Sequence, residues 1–303
     1  MSKIAAVVVT YNRIELLLEN IRNLLNQKIT NENILDIVII DNASTDGTEE
    51  RLKIYSEQIK YINTGSNLGG AGGFQFGIKY AVEQNYDYVW IMDDDCMPTE
   101  SALSEFLVAD QRYRGQYGFF SSKVLWKDNS VCKMNVQRKT LTRYIKDFDS
   151  EQEIAMASFV SCFVPVSIIR EMGLPIKEFF IWTDDWEFTR RISLKYKCYY
   201  VPSSVVIHKS VANIGANIAT DSADRLERYN YLYRNDVYLY RREGIHGFMY
   251  EVVRLSLHIF RIIFNAKDSK LKRISYIFKG TKNGFKFKPE IEFVNPEKSD
   301  LYE

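Results

Sequence analysis

The stretch IAAVVVTYNRIELLLENIRNLL, residues 4–25, sets the pattern on which the first third of the chain is built. Its first six residues are apolar, and the β-branched run within them is typical of a strand that is buried on both faces. From residue 14 onward isoleucine and leucine recur every three or four positions, which is the period of an amphipathic helix. Thr10 and Asn12 both suit the start of that helix. The stretch therefore predicts a buried strand that leads directly into a helix.

The same pattern recurs along the first hundred residues. Further strand candidates lie at residues 35–40 (LDIVII), 59–63 (IKYIN) and 86–92 (YDYVWIM), with helical segments between them, the last of which runs to about residue 84. Strands that alternate with helices predict an α/β fold, in which a doubly wound, mostly parallel sheet is flanked by helices and the crossovers are right-handed.

The composition limits what else the chain can be. Its 303 residues are 46% hydrophobic and 14% aromatic, which is enough to bury a core in one large domain or two small ones. The formal charge is only +1, which argues against wholesale binding to nucleic acid. The four cysteines form no CxxC pair, no signal peptide precedes residue 4, and no long uncharged apolar run occurs. We therefore expect a reduced, cytoplasmic protein without a membrane-spanning segment.

Three polar segments each follow a predicted strand: residues 10–13, residues 41–45 and the aspartates Asp93, Asp94 and Asp95. Ligands of open α/β sheets bind beyond the carboxyl ends of the strands, so we expect the three segments to share one crevice. Adjacent carboxylates repel one another unless a cation or hydrogen-bond donors compensate them, and oxygen-rich sites suit Mg²⁺ or Mn²⁺. An isolated acidic triplet is more often a solvated turn, so the prediction of a metal site depends on the other two segments.

Residues 65–74, GSNLGGAGGF, form a glycine-rich segment that matches neither common nucleotide-binding loop. The dinucleotide spacing GxGxxG, started at Gly70, requires glycine where Gln75 stands, and no GK[ST] follows. Two interpretations remain open. In the first, the missing Cβ atoms let backbone N–H groups approach a ligand just before a helix N-terminus that favours anions. In the second, the segment is a flexible turn.

Taken together and in this order, VVVTYNR, VIIDNASTDGT, NLGGAGGF and WIMDDDCMPTE resemble the family 2 glycosyltransferases of the GT-A fold. Two later motifs, FFIWTDDWEFTRRI at residues 179–192 and VVIHKS at residues 205–210, resemble the acidic acceptor-side motif and the histidine segment of that family. The combination is most similar to the bacterial galactofuranosyltransferase and rhamnosyltransferase branch. The resemblance implies a Rossmann-like, nucleotide-sugar-binding GT-A domain over residues 1–224. A helical, basic C-terminal extension would follow over residues 225–303.

The resemblance also implies roles on the donor side. Thr10 and Arg13 would line the nucleotide pocket, and Asp41 would contact the uracil or another base. The full set of donor-binding residues that it implies is Thr10, Arg13, Asp41, Asn67, Gly69, Gly70, Asp93 and Asp94.

The metal site implied by the resemblance contains Mn²⁺ or Mg²⁺, held by the DxD pair Asp93 and Asp95. His208 is the candidate third ligand, although a lone histidine after an apolar run is also a common structural residue. His246 and His258 lie in a helical region, and we interpret both as structural.

Transfer with inversion needs a base for the acceptor hydroxyl, and the DDWE motif supplies candidates. Matching it to the family implies that Asp185 is the base, with Asp184 on the acceptor or donor sugar. In the galactofuranosyltransferase relatives a tryptophan often directly precedes this acidic pair, whereas here Thr183 does and Trp182 lies one place earlier. This departure leaves the exact donor open. Both Trp182 and Trp186 suit stacking on a sugar face or packing in the core, and the motif also suits a capped helix.

The C-terminal third contains two helical patterns. Arg228, Tyr231 and Arg234 or Asn235 share one face and resemble an RxYYxxRN element of this branch, which we place at the rim of the site. Farther on, an apolar helix carries a polar stripe of Glu251, Arg254, His258 and Arg261, and residues 267–288 then hold eight lysines and arginines against one aspartate. Peripheral docking on an anionic membrane, an ordinary core helix and an oligomer interface all remain open.

The resemblance therefore implies an inverting, metal-dependent glycosyltransferase that uses a nucleotide sugar, UDP-galactofuranose first of all. It would add a single sugar to a glycan or lipid-linked acceptor in the synthesis of a bacterial surface polysaccharide. We expect it in the cytoplasm, free or on the cytoplasmic face of the inner membrane, and the oligomeric state stays open. The alternative donors are dTDP-rhamnose and UDP-galactose, and the non-enzyme alternative is a noncatalytic nucleotide-sugar-binding protein.

Overall fold

The strand predicted at residues 4–9 lies inside a nine-stranded sheet, in a computed structural model that describes residues 1–30 and 32–294. The strands of the described residues are β1 (Ser2–Thr10), β2 (Asn33–Asp41), β3 (Ile59–Asn63), β4 (Tyr88–Asp93), β5 (Cys96–Pro98), β6 (Phe120–Trp126), β7 (Gln152–Ile154), β8 (Cys162–Pro165) and β9 (Cys198–His208). The helices are α1 (Ile14–Leu25), α2 (Thr48–Leu52), α3 (Gly69–Glu83), α4 (Ala102–Tyr113), α5 (Val166–Met172), α6 (Asp184–Ser193), α7 (Tyr229–Arg241), α8 (Gly244–Asn265) and α9 (Lys270–Lys286).

The sheet has a parallel half and a mixed half. Its order is β3-β2-β1-β4-β8-β6-β9-β5, with β7 paired to β9 beside this path. The first four strands in that order are parallel, as the alternation of strands and helices predicted. β8 is antiparallel to both β4 and β6, and β5 and β7 are antiparallel to β9. The prediction of a mostly parallel sheet therefore holds for the first half, and β6 and β9 form a further parallel pair in the second half. Antiparallel strands need no crossover helix, so the second half gave no alternating pattern to detect.

Residues of β1 alternate between two cores. Ala5, Val7 and Val9 pack in one apolar cluster with residues of α3, whereas Ile4, Ala6 and Val8 pack in a second cluster with residues of α1 and α4. This alternation follows from the two-residue period of a strand, and it covers both faces of the sheet with helices. On the α3 side, a Cβ atom added to Gly77 would lie 2.5 Å from a methyl carbon of Val7. Glycine therefore lets α3 lie close against β1.

The C-terminal helices α7, α8 and α9 form a separate apolar cluster that includes Tyr229, Tyr233, Ile262 and Ile277. α7 also contacts the α/β part of the chain, because Tyr238 packs with Ala71 and Phe179. The predicted boundary at residue 225 falls inside a short 3-10 helix, Ala223–Arg228, and the division into two domains stays a prediction. Among the described helices, none combines the length and apolarity needed to cross a bilayer.

Candidate active site

The three polar segments predicted to converge do lie at one edge of the sheet. Thr10 pairs with Asp41 in the β1–β2 register, and Val9 pairs with Asp93 in the β1–β4 register. The three strands therefore deliver their last residues side by side. The first two segments are also joined by a hydrogen bond from the Asn42 N–H to the Thr10 carbonyl oxygen, of 3.0 Å. The carboxyl ends of parallel strands are where an α/β sheet binds its ligands.

Asp94 connects two of these segments through hydrogen bonds. Its carboxylate accepts a 2.8 Å hydrogen bond from the Thr10 hydroxyl and a 3.2 Å bond from Arg13, whose guanidinium also reaches Asp95 at 2.8 Å. Burial raises the pKa of Asp94 to about 7, although Arg13 and Thr10 oppose the shift. Arg13 thus compensates part of the triplet's charge, and about half of its side chain stays exposed toward solvent.

Asp93, Asp95 and His208 form the metal-compatible cluster of the described residues. One ligand atom from each of the three lies within 4.8 Å of the others. His208 reaches this position because it ends β9 and pairs with Cys96, the residue after Asp95. Its Nε2 atom lies 3.1 Å from Asp95 Oδ1, which is buried. Two carboxylates and an imidazole are ligands that Mn²⁺ accepts, so these three residues fit a divalent cation.

Asn135 fixes the orientation of His208, and no pattern in the sequence pointed to it. The Asn135 Oδ1 atom lies 2.8 Å from His208 Nδ1, and the Asn135 amide nitrogen donates to the Ser158 hydroxyl at 2.9 Å. An Nδ1–H that donates to Asn135 leaves Nε2 facing the carboxylates. Burial lowers the pKa of His208, but the hydrogen bond with Asp95 and the neighbouring charges outweigh it and raise that pKa to about 10. A cation bound here would compete with this proton.

The acidic pair Asp184 and Asp185 occupies the first turn of α6 and lies near enough to Asp93 for their charges to interact. Burial raises the pKa of Asp184 to about 7. Burial and the neighbouring charge of Asp184 raise the pKa of Asp185 well above its ordinary value. The negative charge of Asp93 raises both values, which shows that the two acidic segments are electrostatically coupled. Carboxyl groups whose pKa values move toward neutrality suit acid–base chemistry.

The backbone before α6 is strained. Phe180, Trp182 and Thr183 have φ angles of 63°, 66° and 70°, in the left-handed region that non-glycine residues rarely occupy. Such conformations persist when neighbouring groups enforce them, and they cluster at functional sites. Here the Thr183 hydroxyl donates a buried 2.8 Å hydrogen bond to Asp236 of α7. A residue of the C-terminal helices therefore holds the start of α6 in place.

Asn235 and Arg234 hold the same segment from α7. The Asn235 amide donates to the carbonyl oxygens of residues 179, 181 and 182 at 3.0, 3.1 and 2.9 Å. Arg234 donates to the carbonyl oxygen of Phe179 at 3.2 Å. The RxYYxxRN element, predicted at the rim of the site, thus supports the loop that presents Asp184 and Asp185.

The glycine-rich segment packs closely against the loop that precedes α6. Residues 69–74 are the first turns of α3, so the flexible-turn interpretation is wrong for them. Gly69 has φ +71°, and an added Cβ atom would lie 2.2 Å from the Phe180 carbonyl oxygen. The Asn67 side chain accepts a 2.9 Å hydrogen bond from the Gly69 N–H, while open space lies beside Gly70. Glycine therefore allows the loop before α6 to approach α3, and the approach of a ligand to Gly70 stays a prediction.

Other predicted residues have partners inside the protein. Asp41 is fully buried and accepts hydrogen bonds from the Tyr61 hydroxyl at 2.7 Å and the Ser44 N–H at 2.9 Å. Its contact with a base stays a prediction. Trp186 lies under the guanidinium of Arg138, whose central carbon is 3.7 Å from the ring centroid.

Arg138 is a site residue that the sequence did not reveal, because it comes from an irregular segment. Its charge lowers the pKa of Asp185, against the larger effect of burial. Trp182 packs against Tyr229, with ring centroids 5.3 Å apart. The two tryptophans of the motif are therefore both packed against protein groups.

The histidines interpreted as structural differ in their surroundings. His258 Nδ1 lies 2.8 Å from the Tyr233 hydroxyl, and burial lowers the pKa of His258 to about 3. His246 is exposed. Neither belongs to the metal-compatible cluster of the described residues.

Comparison with known proteins gives a family for the N-terminal segment. Residues 5–124 match the family model for glycosyl transferase family 2. Over 106 residues the chain is 29% identical to the galactofuranosyltransferase GlfT1 of Mycolicibacterium smegmatis, covering 35% of this chain and 34% of that protein. Over 97 residues it is 40% identical to the abequosyltransferase RfbV of Salmonella typhimurium, covering 30% of this chain and 28% of that protein. The matched stretch thus spans about a third of each relative.

Structural comparison extends farther along the chain. The mannosyltransferase PcManGT of Pyrobaculum calidifontis, solved in complex with GDP-Man and Mn²⁺, superposes with a TM-score of 0.62 at 15% identity. The superposition covers 94% of this chain and 87% of that protein. At this level of identity the likeness concerns the fold alone, and it confirms the GT-A fold that the motifs led us to expect.

Proposed function

We propose that this chain, which carries a family 2 glycosyltransferase domain at residues 5–124, is an inverting, metal-dependent glycosyltransferase that uses a nucleotide-sugar donor. The observation that carries the proposal is the meeting of two acidic segments in one crevice: the Asp93, Asp95 and His208 cluster and the Asp184–Asp185 pair. A GT-A neighbour solved with GDP-Man and Mn²⁺ supports the same interpretation.

Asp93, Asp95 and His208 would hold the divalent cation, Mn²⁺ or Mg²⁺. When bound, the cation supplies positive charge to the diphosphate of the donor and to the departing nucleotide. Asp93 and Asp94 would also contact the donor ribose and sugar. Arg13 would offset the charge of Asp94 and Asp95, because it donates hydrogen bonds to both carboxylates.

The nucleotide would lie across the ends of β1 and β2, beside the start of α3. Thr10, Arg13 and Asp41 line the first two strand ends, and Asn67, Gly69 and Gly70 form the start of α3. The open space beside Gly70 leaves room for a ligand, and the N-terminus of α3 favours an anion.

Asp185 would act as the base. Its carboxylate would remove the proton from an acceptor hydroxyl while that oxygen attacks the anomeric carbon from the face opposite the nucleotide. The bond from the anomeric carbon to the donor phosphate breaks as the new glycosidic bond forms, so the configuration inverts. Asp184 would hydrogen-bond the acceptor or donor sugar. The raised pKa of Asp185 supports its role as proton acceptor, because an acid of ordinary pKa is a weak base near neutrality.

The donor that we propose first is UDP-galactofuranose. The similarity to GlfT1 supports galactofuranose, whereas the similarity to RfbV, named for another sugar, shows that neighbouring sequences are named for different donors. dTDP-rhamnose and UDP-galactose remain the alternatives. We further propose that residues 1–224 form the transferase domain, that residues 225–303 serve the acceptor side, and that the acceptor is a glycan or lipid-linked saccharide of a bacterial surface polysaccharide assembled in the cytoplasm.

The test is nucleotide release from UDP-galactofuranose, UDP-galactose, UDP-glucose and dTDP-rhamnose with Mn²⁺ and a synthetic glycoside acceptor. We expect acceptor-dependent turnover of one donor, with loss of turnover after chelation of the metal and in Asp95→Asn. Asp224→Asn, which changes an exposed acid of the 3-10 helix Ala223–Arg228, is the matched control and should keep full activity. Binding of a donor without turnover across a broad acceptor panel would instead indicate a noncatalytic nucleotide-sugar-binding protein.

A further inference from the structure

α8 buries charged residues and exposes apolar ones, which is the reverse of most surface helices. The first part of its polar stripe points inward, whereas Arg261 is exposed. Glu251 is buried, and Arg254 reaches Asp236 of α7 with Nη1 2.5 Å from Oδ2. Arg254 also lies 3.6 Å from Glu251. The charges that usually keep a helix in contact with water are here used to attach the helix to α7.

The exposed face of α8, a helix of 22 residues, is mostly apolar, although His246, Ser256, Arg261 and Asn265 are exposed too. Nine large apolar side chains on it are between 42% and 68% exposed among the described residues. They are Ile245, Phe248, Met249, Val252, Val253, Leu257, Phe260, Ile263 and Phe264. The one carboxylate in the sequence of α8 is the buried Glu251, so the exposed face contains no negative charge. An apolar surface of this extent on a folded protein marks an interaction site.

Cations lie on the elements that follow this face. The exposed lysines of residues 267–286 are Lys267, Lys270, Lys272, Lys279, Lys282 and Lys286. Three exposed apolar side chains, Leu271, Phe278 and Phe285, lie between them in the sequence. Asp268, the one acid in this segment, is paired with Arg273. Residues 225–294 contain 15 lysines and arginines against 7 acids in a chain whose formal charge is only +1. Positive charge is therefore concentrated in the helical region.

We propose that α8 and the exposed lysines of α9 form a docking surface for an anionic lipid membrane. α8 would lie along the surface with its apolar face among the acyl chains, while the lysines meet the negatively charged headgroups. The buried pair of Arg254 and Asp236 keeps the polar stripe against α7, so the helix lies on the membrane and does not cross it. This inference concerns binding alone and does not depend on the proposed reaction.

A second copy of the chain is the competing occupant, and the charges argue against it. A two-fold interface that included α9 as well as α8 would bring the lysine-rich segments of both copies toward each other, and like charges across an interface are costly. The exposed face of α8 offers no carboxylate to compensate them. Anionic headgroups would supply that compensation.

The experiment is flotation of the full chain with vesicles, in the absence of donor and acceptor. One set of vesicles contains phosphatidylcholine alone, and the other contains equal parts of phosphatidylcholine and phosphatidylglycerol. We expect binding to the anionic vesicles, little binding to the neutral ones, and release as salt is added. Lys270→Gln and Lys272→Gln should each weaken binding about fivefold, and Phe260→Asp should abolish it.

Ile54→Asp is the matched control, since Ile54 is also an exposed apolar residue but belongs to the α/β part of the chain. It should bind vesicles as the unchanged chain does. Because the substituted positions are exposed, circular dichroism should show an unaltered fold for each variant. Failure of the unchanged chain to float with anionic vesicles would overturn the proposal, as would equal losses in Phe260→Asp and Ile54→Asp. A dimer in sedimentation that Phe260→Asp breaks, without vesicle binding, would assign the face to a second copy.

Discussion

The crevice and the contact between α7 and α8 both bury charged groups, but they differ in what compensates those groups. In the crevice, burial raises the pKa values of Asp93, Asp184 and Asp185, and the charge of Asp93 raises the last two further. The cations Arg13, Arg138 and His208 oppose only part of these shifts. Between α7 and α8, Arg254 lies against Asp236 and near Glu251. Buried acids without enough internal cations indicate a ligand, whereas buried acids with an internal arginine indicate an attachment between helices.

The largest effect that this comparison predicts is on turnover. Asp185→Asn should lower the rate of sugar transfer by about 10²–10⁴-fold, because a neutral amide cannot accept the proton of the acceptor. The same change should leave stability unchanged or raise it, since the raised pKa of Asp185 means that its charge is unfavourable in the folded protein. The rate of sugar transfer is measured with the donor found in the nucleotide-release test. Urea unfolding of the same variant measures its stability.

Asp224→Asn serves again as the control, because it removes one exposed carboxylate outside the crevice. If Asp185→Asn kept full turnover, the base would have to be another group. If it instead unfolded the protein, Asp185 would be a structural acid and the contrast between the two regions would fail.

The second prediction concerns the attachment of α8. Arg254→Met should destabilise the protein by about 3–5 kcal/mol, because it removes one partner of a buried ion pair and leaves Asp236 uncompensated. Urea unfolding measures this loss. Arg261→Met changes an exposed arginine on the same helix and should alter stability by less than about 0.5 kcal/mol. Equal stabilities for the two variants would show that the buried pair does not attach the helix.

The sequence predicted the first region well because its signals are local. The strand expected at residues 59–63 is β3 (Ile59–Asn63), and the helix expected to end near residue 84 is α3 (Gly69–Glu83). Continuous apolar runs and helical periods are properties of neighbouring residues, so they are visible without the fold. The meeting of the three strand ends followed from the general rule for α/β sheets.

The groups that complete the site were not predictable in this way. Asn135 contacts His208 across 73 positions of sequence, and Thr183 contacts Asp236 across 53. Asn135 ends the short 3-10 helix Lys133–Asn135 and Thr183 precedes α6, so no repeating pattern in the sequence marks the partner of either residue. The stripe on α8 shows a related limit. Periodicity separates the two faces of a helix, but only packing decides which face is buried, and here the face that carries Glu251 and Arg254 is turned toward α7.

The third prediction tests how Asn135 contributes to the cluster. Asn135→Ala should weaken Mn²⁺ binding about 10–100-fold, because His208 loses the acceptor that orients its ring. Calorimetric titration with Mn²⁺ in the presence of the nucleotide diphosphate measures the change. Asn135→Asp keeps an oxygen acceptor at the same place and should retain most of the affinity. Similar losses in both variants would point to general damage rather than to the orientation of His208.

The last prediction concerns the pH dependence of the attachment between α7 and α8. Burial and the charge of Asp236 raise the pKa of Glu251 from 4.5 to about 8, against the opposing effect of Arg254. Between those two pH values the folded protein keeps a proton that the unfolded chain has released. Stability should therefore fall as pH rises through this window and then level off above it.

Glu251→Gln should lack this dependence, because the amide has no proton to release. With Glu251 protonated, Asp236 and Arg254 form a neutral pair, and ionisation of Glu251 adds one uncompensated buried negative charge. The variant should therefore be more stable than the unchanged chain above pH 8 and similar to it below pH 4.5. Urea unfolding at both ends of the window measures the difference, with Glu227→Gln as an exposed acid for comparison. If Glu251→Gln kept the full slope, Glu251 would already be ionised in the folded protein. The C-terminal helices would then bury uncompensated negative charge as the crevice does.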